Sequence, residues 1–64
     1  MDYEVVVEKV INSFKLDHDK EREKAFDACV GYAQKHLRNS QHFAPFLHVA
    51  AARLQVRVRM PRED

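Results

Sequence analysis

The chain is 64 residues long, 45% hydrophobic and 33% charged, with a formal net charge of +1. This bounds it to one small domain, with no room for a cofactor domain beside a substrate domain. A single cysteine excludes an internal disulfide scaffold and points to a reducing intracellular setting, cytoplasmic or nuclear, while one glycine and two prolines exclude a turn-rich β-sandwich.

Tyr3, Val6, Val7, Val10, Ile11 and Phe14 recur at three- and four-residue steps. That spacing predicts a first helix over residues 2–15, with Asp2 as its N-cap and Glu4 at the positive end of its dipole. The run of three valines has the composition of a strand, but the helical spacing continues past it without a turn signal. The pattern breaks over residues 16–19, where Asp17 or Asp19 can cap the next element.

Ala25, Phe26, Cys29, Val30, Ala33 and Leu37 then form a second helical stripe, predicting a helix over residues 19–38. Gly31 interrupts it, either to admit a neighbouring helix or as a tolerated glycine. Residues 39–44 read as a connection, and Pro45 fits the first turn of a third helix over residues 45–58. Residues 56–60 alternate apolar and basic, the period of a strand, so the helix has a second possible end near Gln55. Pro61 stops either element, and residues 61–64 read as a polar tail or the start of a linker behind a single domain over residues 1–60.

The expected fold is therefore all-α: a three-helix bundle, antiparallel or helix-turn-helix-like. Its expected core is Val6, Val10, Ile11, Phe14, Phe26, Cys29, Val30, Ala33, Leu37, Phe46, Ala50 and Leu54. No apolar run approaches the ~20 residues of a membrane span, and the acidic start lacks the order of a secretory signal, so no membrane partner is expected.

The charge is divided along the chain. Residues 1–27 hold five basic against eight acidic side chains, a balance of −3, whereas residues 28–62 hold six basic ones and no acid. A half-chain of one sign favours an anionic partner. Catalytic chemistry is not indicated. Cys29 lies in the apolar stripe, the four histidines are spaced 18, 6 and 6 residues apart, and one glycine cannot form a phosphate loop. No metal, no cofactor and no enzymatic activity are expected.

Two binding readings follow. In the first, the domain is a protein-interaction module. It docks an acidic or amphipathic helix of a protein partner, or a second copy of itself, through an apolar groove and a basic third helix. Tyr32, Phe43, Phe46, Arg53 and Arg57 are the contact residues, because aromatics beside arginines have the composition of an interface hot spot. In the second, Lys35, Arg38, Arg53, Arg57 and Arg59 contact the phosphates of a nucleic acid.

Overall fold

The structure is a computed structural model that describes residues 2–59. It contains three helices, α1 (Tyr3–Ile11), α2 (Asp19–His36) and α3 (Phe43–Leu54), and each packs against the other two. This is the expected three-helix bundle. Among the described residues no helix is long and apolar enough to cross a membrane.

Helix α1 starts at its expected cap, where an Asp2 carboxylate oxygen accepts from the Val5 N–H at 3.4 Å. It ends four residues earlier than the spacing implies. Asn12 and Ser13 bond readily to nearby backbone outside a helix, which weakens them as helix formers. The Phe14 N–H reaches back to the Ile11 carbonyl at 3.0 Å, closing a turn. Phe14 thus keeps its place against the core from a turn rather than from a helix.

The cap of α2 is His18, and neither Asp17 nor Asp19 caps it. Asp19 is instead the first helical residue and pairs with Arg22 one turn on. At the other end the Leu37 N–H donates to the Ala33 carbonyl at 2.8 Å, and α2 stops at His36 rather than residue 38. Asn39 then takes a left-handed φ of 65°, a conformation that asparagine tolerates better than most side chains. A Cβ added at Gly31 would meet nothing within 4 Å, so no helix approaches there.

Helix α3 begins two residues before the predicted start, at Phe43. Pro45 still lies in the first turn, where its missing N–H has no intrahelical acceptor to lose. Its end is the larger departure. Gln55 adopts a left-handed φ of 57°, its N–H reaches the Ala52 carbonyl, and the Val56 N–H reaches the Ala51 carbonyl at 3.1 Å. Paired bonds of this kind close the helix and turn Val56 back onto the core. Residues 56–59 are consequently neither the helix nor the strand that their composition permitted. Residue 60 and the expected tail at 61–64 lie outside the described residues.

Three contacts fix the helix directions. Tyr3 Oη and His42 Nδ1 are hydrogen-bonded at 2.8 Å, joining the starts of α1 and α3, and Glu8 pairs with Arg53 near their ends. These two helices therefore run the same way. Tyr32, late in α2, lies 5.5 Å from Phe46, early in α3, so α2 runs against them. The bundle is up-down-up. Its core comprises Val7, Ile11, Ala25, Phe26, Cys29, Ala33, Leu37, Phe46, Leu47, Ala50, Ala51 and Leu54. Val6, Val10, Phe14 and Val30, expected inside, are only half-buried and pack around it.

Gln55 holds a conformation that disfavours any side chain with a Cβ, by roughly 1–2 kcal/mol, against the smaller entropy that glycine loses on folding. Gln55→Gly should therefore raise stability by up to about 1 kcal/mol in urea unfolding, and Gln55→Val should lower it. A destabilised glycine variant would contradict the left-handed closure of α3.

Candidate interaction surface

The residues expected to bind a partner fall into two groups, the aromatics together and the arginines apart from them. Phe46 is fully buried, whereas Tyr32 and Phe43 are half-buried around it at the end of the bundle where α2 finishes and α3 starts. The Tyr32 ring also lies 4.6 Å from the His36 ring, tilted by 40°. Arg53 lies at the far end of α3, ten residues beyond Phe43, or roughly 15 Å along the axis. Arg57 no longer shares a helical face with Arg53, because α3 stops between them.

The cations of the second reading are divided in the same way. Lys35 and Arg38 are exposed at the end of α2, and Arg53, Arg57 and Arg59 belong to the opposite end of the bundle. Two of those three arginines already meet carboxylates from the acidic half of the chain. Arg53 Nε pairs with Glu8 Oε1 across α1 and α3. Arg59 holds Glu23 Oε2 at 2.6 Å and Asp27 Oδ1 at 3.3 Å, with its guanidinium 5.3 Å from the centre of the Phe26 ring. These pairs are half-exposed, so each adds little to stability, but each removes a cation from the field that an incoming anion would feel. Among the described residues, the cations of the basic half are divided between the two ends of the bundle.

A surface that the sequence reading did not assign lies between α1 and α3. It is an open groove of about 810 Å³ lined by Glu4, Val5, Glu8, Lys9, Val49, Ala52 and Arg53. Val5 is 48% exposed, more than any other large apolar side chain among the described residues. The cause is geometric. Successive helical residues point about 100° apart, so three adjacent valines cannot all face one core. Val7 is fully buried, Val6 is half-buried, and Val5 is left beside the groove. The Val-Val-Val run carried that signal.

The Cys29 thiol is fully enclosed, and burial pushes its pKa up to about 11 from an ordinary 9.0, so it stays protonated near neutrality. Among the described residues no three His, Cys, Asp or Glu side chains gather as metal ligands. Comparison with family models, with curated proteins and with solved structures finds no match to this chain.

The Cys29 environment has a pH signature. A thiol whose folded pKa is raised favours the folded state fully below the unfolded pKa, and that contribution disappears as pH rises through the folded value. Between pH 9 and 11 the wild type should lose up to about 3 kcal/mol more stability than Cys29→Ala, measured by urea unfolding at each pH. Parallel pH profiles for the two proteins would contradict an enclosed, desolvated thiol.

Proposed function

We propose that this domain is a non-enzymatic protein-interaction module that receives a helix in the groove between α1 and α3. The observation that carries the reading is the exposure of Val5 beside Val49 and Ala52, in a bundle whose other large apolar side chains are mostly withdrawn. An amphipathic helix laid along such a groove covers its own apolar edge and these side chains together. With Glu8 and Arg53 paired to each other, Glu4 and Lys9 leave a rim of both signs, which favours a helix bearing both charges over a uniformly acidic or basic one. Of the partners first expected, an acidic or amphipathic helix or a second copy of the chain, this favours an amphipathic one of mixed charge, because Arg53 is already engaged with Glu8. A lone cysteine is consistent with an intracellular setting.

The nucleic-acid reading has weaker support. Of its five residues, Lys35, Arg38 and Arg57 have no ion pair among the described residues, and they do not share one end of the bundle.

A photo-crosslinking side chain at Ala52, in cells, should yield adducts with polypeptide that disappear when Val5→Asp is added. The same group at Gln34, exposed on α2 away from the groove, should yield few. Equal labelling from both positions, or none from Ala52, would overturn the groove as the binding face.

A further inference from the structure

We infer that the occupant of the α1/α3 groove is a second copy of this chain, with the two α1 helices side by side and parallel. This rests on the reading of the groove as a helix-docking site and names what docks there. The charges beside Val5 point to this occupant. Glu4 and Lys9 both line the groove, are exposed, and have no ion pair among the described residues. They differ by five positions, which turns the helix by about 140° beyond a full revolution. Val5 lies between them in angle, so α1 presents an apolar side chain with an acid on one flank and a base on the other.

Two parallel helices related by a two-fold axis along their length face each other with opposite flanks. Glu4 of each copy then meets Lys9 of the other, twice per dimer, and Val5 meets Val5 between the pairs. The antiparallel alternative sets like flanks together, Glu4 towards Glu4 and Lys9 towards Lys9. A uniformly acidic helix would be opposed by Glu4 and a uniformly basic one by Lys9. A second α1 carries the complement of both. Glu8, the remaining acid on this face, is held by Arg53 of its own copy and so does not confront its counterpart as a bare charge.

The area available on a nine-residue helix and its groove is small, so the dimer is weak and reversible. Sedimentation equilibrium of the whole chain over about a hundredfold range of concentration should show a monomer–dimer equilibrium, and Val5→Asp should abolish it. Glu4→Lys and Lys9→Glu should each weaken it by about tenfold, the scale of two exposed pairs turned repulsive. The double variant Glu4→Lys/Lys9→Glu should restore the wild-type constant to within about threefold. Both positions are exposed, and circular dichroism verifies that each variant remains helical.

A protein monomeric throughout the range, or a double variant as weak as the single ones, would overturn the parallel homodimer. If the chain is monomeric while crosslinks from Ala52 reach a different polypeptide, the second copy is refuted and the groove reading stands. If no adduct forms either, both fall.

Discussion

Folding sets carboxylates of the first half of the chain against guanidiniums of the second, and the character of the surface depends on that meeting. Glu8 takes Arg53, while Glu23 and Asp27 take Arg59 above the ring of Phe26. Each pair joins segments far apart in sequence, so the division of charge along the chain becomes a means of closing the bundle. Half-exposed pairs contribute modestly to stability. Their larger consequence is that a positive field, plain in the linear order of residues, is dispersed in three dimensions.

With the cations dispersed, the feature that distinguishes the surface is apolar. Val5 remains outside because the arc of α1 facing the core is filled by Val7 and Ile11. Val49 and Ala52 continue the same strip onto α3. A domain of this size has a small core and gains from covering such a strip with another chain. The bond between Tyr3 and His42 at one end and the Glu8–Arg53 pair at the other hold α1 and α3 in the same direction, which fixes the groove between them.

Much of this architecture was legible in the residues. The stripe from Ala25 to Leu37 marked α2 because its 3.6-residue period is long and its opposite face is charged, and Pro45 marked the opening of α3. The ends were less legible because they depend on local competition that periodicity does not report. Phe14 kept the helical spacing while sitting in a turn, and Gln55 adopted a left-handed φ with no glycine to announce it. The candidate site was the least legible. Hot-spot composition picked out Phe46, which is buried, and Arg53, whose carboxylate partner Glu8 lies 45 positions away. Nothing in the spacing of Arg53 reveals Glu8. The valine run did contain the groove, since three adjacent valines cannot share one face.

The central claim, that the fold disperses and partly neutralises its cations, is tested most directly by the salt dependence of binding to duplex DNA. Each phosphate contact contributes about 0.9 to the slope of log affinity against log salt, so five cations acting together would give about −4.5. Dispersed cations should release below physiological salt with a slope no steeper than about −2, the share of Lys35 and Arg38 acting alone at one end. Retention beyond physiological salt with a slope near −4.5 would show the five cations acting as one surface, and would contradict that claim.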